Sequence, residues 1–245
     1  MVASLDGKAN SGGKAGSMGS KIDRALMRTL RAHVDAVMTG AGTIRAEKLT
    51  LAVPESLARH RILRGLKPQP LGVVLTTTGE IPLDTNLLGP SPDNNLLVLA
   101  SPDISETHFA ALSSRVSAIE TIETVPKEKS ARGTKLDLNK ALETLKEHHS
   151  VDVLLVEGGP TLNHALVYED LADELFLTLA PKLLGGESPE TLTILEGPTL
   201  APQKVEPKLV STYVSSDELF LRYALRPRDG SRHFSGVRSW QKPAN

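Results

Sequence analysis

Short, continuous apolar runs that alternate with helical patterns are the feature that most restricts the fold of this 245-residue chain. Continuous runs, rather than alternating ones, are typical of strands that are covered on both faces of a sheet. The runs are 34–38, 71–75, 96–99, 151–156 and 175–180. Strands that alternate with helices predict a largely parallel sheet with helices on both faces.

Helix and turn signals fill the spaces between these runs. Ser20 has the side chain of a helix N-cap, a second helical pattern covers about 137–147, and a third begins at Pro160, a good first helical residue. The last two apolar segments, 204–214 and 217–225, predict a closing antiparallel hairpin. The fold class expected is α/β, in three layers, with a mixed and mostly parallel sheet.

Three segments carry no firm strand or helix period. Residues 48–69 and 123–135 are predicted loops, although 56–66 could hold a helix. Residues 226–245 are basic and rich in Gly, Ser and Pro, so we expect a tail that is disordered or packed on a partner subunit.

Composition excludes several classes of protein. The net charge of −1 and the 3% of aromatic residues give no basic field and few stacking platforms for nucleic acid. The absence of cysteine excludes disulfides and thiolate zinc sites, and is compatible with a reducing cytoplasm. No apolar run reaches the roughly 18 residues that a membrane span needs. No His, Asp and Glu cluster has metal-ligand spacing, so no metal is expected.

Two glycine turns are the strongest local signals of function. The run 151–156 leads into EGGPT at 157–161, and the run 34–38 leads into TGAGT at 39–43. Glycine lets a ligand approach the backbone, and the first N–H groups of a helix favour a phosphate. Two such turns suggest a dinucleotide, but neither fits the G-x-G-x-x-G fingerprint, and plain strand-to-helix turns remain the alternative.

Glu157 is the most informative acid, because a carboxylate at the end of a buried strand is rarely left without a partner. It could bind the N–H groups of a pyrimidine or pteridine ring, or it could form a structural cap or salt bridge. The segment 4–8 (SLDGK) is a weaker candidate, since an Asp-Gly pair is typical of an ordinary turn.

In order along the chain, these segments resemble the reductase domain of the riboflavin pathway, found in bifunctional deaminase–reductases and in stand-alone diaminopyrimidine reductases. The matching pieces are SLDGK at 4–8, LRA at 30–32, DAV at 35–37 with Gly40 and Thr43, VEGGPTL at 156–162, DEL at 173–175, APKLLGG at 180–186 and LFLRY at 219–223. Each piece is weak alone, but the ordered set is specific.

The resemblance implies a dihydrofolate reductase-like fold over 1–225. It also implies an NADPH-dependent reductase, a homodimer, that opens the ribose of a ribosylamino-pyrimidine 5′-phosphate to a ribityl chain. The alternatives are a dihydrofolate or pteridine reductase and a non-catalytic nucleotide-binding module.

The resemblance also assigns roles to individual residues. Arg31, Leu51 and Glu157 fall at substrate-contacting positions, and Glu47 is the candidate proton donor. The residues placed against NADPH are Ala3, Gly40, Thr43, Glu47, Thr77, Gly158, Gly159, Pro160, Thr161 and Leu162, with the run continuing to Ala165.

Two departures from the family weaken the substrate assignment. Glu47, Lys48 and Leu49 stand where the family usually has Asp-Asp-Pro, and Pro54 stands where it often has a polar residue near the substrate phosphate. Five nearby cations could replace the missing contact: Arg45, Lys48, Arg59, Arg61 and Arg64.

Overall fold

The computed structural model describes residues 1–10, 18–47, 49–82, 87, 95–126, 134–187, 191–200 and 205–226. Its centre is a five-stranded parallel sheet with the strand order β5-β4-β3-β2-β8. These strands are β2 (Ala36–Gly40), β3 (Leu71–Thr76), β4 (Leu96–Ala100), β5 (Ala118–Thr121) and β8 (Leu154–Val156). All five residues of β4 are buried, as the continuous apolar run predicts.

A second, mixed sheet has the order β1-β9-β11-β10. Its strands are β1 (Val2–Ser4), β9 (Glu174–Ala180), β10 (Lys208–Ser215) and β11 (Glu218–Ala224). β1 runs parallel to β9, and β11 pairs antiparallel with both β9 and β10. The predicted closing hairpin is confirmed, and its turn residues Ser216 and Asp217 both have positive φ, as a tight primed turn requires.

Six helices complete the described chain: α1 (Lys21–Arg31), α2 (Ala41–Ala46), α3 (Glu55–Leu63), α4 (Glu106–Ser113), α5 (Leu138–His149) and α6 (Pro160–Tyr168). Ser20 caps α1 by accepting from the N–H groups of Ile22 and Asp23, and Asp137 caps α5 in the same way. The sequence signals for α1, α5 and α6 are therefore confirmed. α2 and α4 were not predicted, because a short helix between two strands shows little periodicity.

The core lies on the two faces of the parallel sheet. Val37, Val74 and Val98 face one cluster, which α2 and α4 cover through residues such as Ile44 and Leu112. Their neighbours on the strands face the other cluster, covered by α5 and α6; examples from this face are Met38, Val73, Leu97, Leu145 and Leu166. Successive strand residues point to opposite faces, so this alternation produces the three layers expected.

Two expectations need correction. The predicted loop at 123–135 contributes two short strands at its ends, β6 (Thr124–Pro126) and β7 (Thr134–Leu136), which pair with each other. The predicted strand 151–156 is shorter, because the N–H groups of Asp152 and Val153 donate to the Asp35 carboxylate, at 3.0 and 2.8 Å, instead of to a strand.

The segment within the predicted loop 48–69 that could hold a helix does so, as α3. The predicted tail, apart from Arg226, lies outside the described residues. Within the part of the chain that is described, no helix has the length and apolar character of a membrane span.

Candidate functional site

The two glycine turns lie side by side at the carboxyl edge of the parallel sheet. β2 pairs with β8 through Met38 and Val156, and with β3 through Gly40 and Leu75. The turn after β2, the turn after β8 and Thr77 after β3 therefore share one edge, which is where ligands bind in open α/β sheets.

Hydrogen bonds fasten the two turns together. The Gly158 carbonyl accepts from the Gly40 N–H at 2.9 Å and from the Thr39 hydroxyl at 3.0 Å. The Glu157 N–H donates to the Met38 carbonyl at 2.9 Å. Gly158 has a φ of +98°, which favours glycine, and its peptide bond to Gly159 is cis. The hydrogen bonds at Met38, Thr39 and Gly40 thus join the two turns into one unit.

Gly159 is required for a different reason, close contact. A Cβ built on Gly159 would lie 2.8 Å from Oγ1 of Thr43, closer than real Cβ contacts allow. The φ of Gly159 is −72°, so the backbone conformation itself would accept a side chain. At this surface Gly159 therefore lies directly against the Thr43 hydroxyl, with no room for a side chain between them.

Helix α6 begins at this surface. Gly159 is its N-cap without a side-chain cap, and Pro160 is its first residue. The Asn163 N–H donates to the Gly159 carbonyl, whereas the N–H groups of Thr161 and Leu162 belong to the first turn, which has no acceptors within the helix. Such a helix start, with its dipole, suits a phosphate oxygen.

Arg31 and Glu157 form an ion pair next to the glycine turns. Arg31 Nε lies 2.5 Å from Oε1 of Glu157, and Arg31 Nη2 lies 2.6 Å from Oε2. The side chains are 13% and 10% exposed, so the pair is largely shielded from water. Nη1 of Arg31 also donates to the Ala52 carbonyl at 3.3 Å. This bidentate geometry is the strong form of an Arg–carboxylate contact.

The structural alternative for Glu157, a salt bridge, is therefore present. The same pair also brings two of the three predicted substrate residues together. The charges of Arg31 and Glu157 neutralise each other in this arrangement. A ligand that binds one of these two side chains would therefore have to displace the other from it.

The third predicted substrate residue, Leu51, is only 4% exposed and packs in the core cluster around Val74. Its side chain has little surface to offer a ligand. The neighbouring Ala52 carbonyl, which meets Arg31, marks where this segment reaches the site.

Three further cofactor candidates lie on different elements of the fold. Glu47 follows α2 one turn after Thr43, and its N–H donates to the Thr43 carbonyl at 2.9 Å. Thr77 is exposed directly after β3. Ala3 is buried in β1, and Met1 before it approaches Gly158, with Sδ 3.6 Å from a Cβ built there.

The cations that could replace a contact at Pro54 have varied surroundings. Arg61 is 1% exposed and its guanidinium binds backbone carbonyls, so it is not available to a ligand. Arg59 pairs with Glu55 at 2.5 Å, and Arg45 donates to the Glu80 carbonyl. Arg64 is exposed at the end of α3, and Lys48 lies outside the described residues.

The 4–8 segment forms a clamp that the sequence did not predict. The Asp6 carboxylate accepts from the Ser4 hydroxyl at 2.5 Å and from the N–H groups of Leu184 and Gly185. These bonds, led by that of Ser4, lower the pKa of Asp6 to about 2. The clamp ties the turn after β1 to the loop after β9. A partner 178 residues away leaves no local signal in the sequence.

Across the described ranges, His, Asp and Glu side chains form no group of three or more that could hold a metal ion.

Comparison with known proteins places the chain in one family. Residues 1–220 match the RibD C-terminal domain. A 2,5-diamino-6-ribosylamino-4(3H)-pyrimidinone 5′-phosphate reductase from Archaeoglobus fulgidus is 30% identical over 197 residues, covering 78% of this chain and 83% of the relative. The protein of the same name from Methanothermobacter thermautotrophicus is 26% identical, covering 91% and 94%.

Among solved structures, a pyrimidine reductase-like protein from Corynebacterium diphtheriae has the same fold. It superposes with a TM-score of 0.73 at 22% identity, covering 93% of this chain and 90% of that one.

Proposed function

The chain belongs to the RibD C-terminal domain family, and from this premise we propose that it is an NADPH-dependent reductase of a ribosylamino-pyrimidine 5′-phosphate. The reaction would open the ribose to a ribityl chain, as in the riboflavin pathway. The observation that carries the proposal is that the two glycine turns, joined through Gly158, lie next to the Arg31–Glu157 pair at the carboxyl edge of the parallel sheet.

The residues at this edge fit a nicotinamide dinucleotide. Gly159 has no side chain and lies against the Thr43 hydroxyl, so backbone groups and a hydroxyl line this edge of the sheet. The hydroxyls of Thr43 and Thr77 and the first N–H groups of α6 offer donors for ribose and phosphate oxygens. The dinucleotide, when bound, supplies the hydride, so the work of the protein is mainly positioning.

Arg31 and Glu157 are the groups that we assign to the substrate. A guanidinium binds phosphate or carbonyl oxygens, and a carboxylate binds the N–H groups of an aminopyrimidine. Arg31 and Glu157 now bind each other. A substrate that replaces this pair must provide an anionic or carbonyl acceptor for Arg31 and N–H donors for Glu157, because otherwise a buried charge would be left without a partner. An aminopyrimidine phosphate provides both.

Glu47 is the group that we assign to proton transfer. It lies one helical turn after Thr43 and stands where the family carries an acid. The carboxyl group of Glu47, in its protonated form, could donate a proton to the substrate or, in the simpler role, its carboxylate could bind the cofactor ribose. A cytoplasmic location also stays a prediction.

The decisive experiment is an NADPH-oxidation assay with three acceptors side by side: the phosphorylated pyrimidine, its dephosphorylated form and dihydrofolate. We expect a clear preference for the phosphorylated compound, and we expect Arg31→Ala to abolish that preference. NADH in place of NADPH should support slower turnover at equal concentration. Equal or better activity with dihydrofolate would overturn the substrate, and cofactor binding without any turnover would favour a non-catalytic nucleotide-binding module.

We also propose that the protein is a homodimer that pairs through the mixed sheet. One face of that sheet carries Leu175, Leu177 and Leu179 of β9 in register with Tyr223, Leu221 and Leu219 of β11. None of these six belongs to the described clusters of buried core residues. On the neighbouring β10, Val214 is 71% exposed on the same face. A continuous apolar face of this kind usually marks an interface.

Light scattering at micromolar concentration tests the dimer. Val214→Asp should produce a monomer without unfolding, because the side chain is exposed, whereas Leu183→Asp, at an exposed apolar residue outside the mixed sheet, should leave the dimer intact. A wild-type monomer would refute this part of the proposal.

A further inference from the structure

Arg61 is a fully buried arginine that binds no carboxylate directly within the described residues. It lies in α3 and is 1% exposed. Its Nε donates to the Lys67 carbonyl at 2.8 Å, and its Nη1 donates to the carbonyls of Val34 and Arg31, at 2.7 and 3.2 Å. Burial lowers the pKa of Arg61, and nearby Asp35 opposes that effect. Burying a charge costs free energy, so a charged side chain at this position needs a role that an apolar side chain could not fill.

Two of these three carbonyls belong to the segment that joins α1 to β2. Arg31 is the last residue of α1, and Val34 precedes β2. Carbonyls at the end of a helix lack partners within the helix, and a cation there also suits the helix dipole. Arg61 therefore holds the backbone of Arg31, while the side chain of Arg31 reaches away to Glu157.

The segment 55–69, which contains Arg61, also contacts the chain next to Ala52. The side-chain amide of Gln69 accepts from the Val53 N–H at 2.8 Å and donates to the Val53 carbonyl at 3.0 Å. Val53 follows Ala52, whose carbonyl accepts from Arg31. Residues 55–69 thus hold the backbone that carries Arg31 and also the segment whose Ala52 carbonyl accepts from the Arg31 side chain.

We propose that Arg61 is a positioning residue for substrate recognition: it sets the place of Arg31 and, through it, the Arg31–Glu157 pair. The proposal rests on the proposed function. It gives Arg61 a role other than direct phosphate binding, because the guanidinium already donates to backbone carbonyls.

The test compares Arg61→Lys and Arg61→Met with Arg28→Met, a control that removes an exposed arginine from the same helix as Arg31. Lysine keeps the charge and the stem but loses the fork that reaches several carbonyls at once. We expect the KM for the phosphorylated pyrimidine to rise about ten- to a hundredfold, since the loss of one charge-assisted contact has an effect of this size. The Kd for NADPH should not change, and Arg28→Met should behave as wild type.

A measurement without substrate separates this proposal from the proposed function. The NMR signal of the Arg31 Nε–H, identified by its loss in Arg31→Lys, reports the pair with Glu157 directly. In Arg61→Lys we expect it to shift towards that of a free arginine and to exchange faster with water.

An unchanged signal together with an unchanged KM in folded Arg61→Lys would overturn the proposal, even if Arg61→Met fails to fold. A lower melting temperature alone, with both readouts unchanged, would mean a purely structural role and would also overturn it. A wild-type protein inactive with every pyrimidine would instead reject the proposed function, while the Arg31 signal would still decide the role of Arg61.

Discussion

Replacing Gly159 by alanine tests the idea that the site depends on close contact between its two turns. The new Cβ would lie 2.8 Å from Oγ1 of Thr43, about 0.6 Å closer than ordinary van der Waals contact. The backbone angles at Gly159 are acceptable to alanine, so the whole effect must come from this contact. Either Thr43 or the start of α6 has to move.

The structure gives the expected size of the effect. Overpacking of this kind costs about 1–3 kcal/mol. For a chain of this length, each kcal/mol lowers the melting temperature by about 2–4 °C. The displaced helix start would also weaken NADPH binding, because one hydrogen bond to a charged phosphate is worth about 1.5–3 kcal/mol, or roughly ten- to a hundredfold in affinity. We therefore expect a measurable loss of stability and at least about a tenfold increase in the Kd for NADPH.

Thermal denaturation and a nicotinamide fluorescence titration measure the two quantities. Gly42→Ala is the matched control for stability, because its Cβ would meet nothing closer than Arg45 Nη2 at 3.9 Å. Combining Gly159→Ala with Thr43→Ala removes the colliding hydroxyl, so the double variant should regain most of the stability that Gly159→Ala loses. Wild-type stability and affinity in Gly159→Ala, or no recovery in the double variant, would refute the reasoning.

Three further predictions concern the charged groups. Glu47→Gln should lower kcat strongly if Glu47 donates a proton, whereas a normal kcat with a raised Kd for NADPH would limit it to cofactor binding. Glu157→Gln should destabilise the fold by about 3 kcal/mol in urea unfolding, because it leaves Arg31 shielded without a counter-charge, and Arg31→Met with Glu157→Leu should recover most of that loss. The Asp6 pKa is depressed to about 2, so its clamp contributes stability above the unfolded pKa of about 3.9 and loses it as the pH falls towards 2. The melting temperature of Asp6→Asn should therefore lie below that of the wild type at neutral pH and converge with it between about pH 4 and 2, while exposed Glu147→Gln should match the wild type throughout; a constant difference would contradict the clamp.

Elements with local signals could be predicted from the sequence alone. The continuous apolar runs predict the buried strands, Ser20 and Asp137 begin their helices as short polar caps do, and Pro160 opens α6. The glycine turns were recognisable for the same reason, since a few adjacent residues decide whether a chain can turn and start a helix. Local interactions are encoded within a few positions, so they can be predicted without knowing the fold.

The contacts between these elements could be known only from the three-dimensional structure. Arg31 pairs with Glu157 across 126 residues, and the Gly158 carbonyl binds Thr39 across 119. Arg61 looks in the sequence like any loop arginine, yet it is buried against three carbonyls. Such contacts depend on strand order and register, which are set by how both faces of the sheet bury their apolar side chains together. That is a property of the whole chain, and no segment carries it alone.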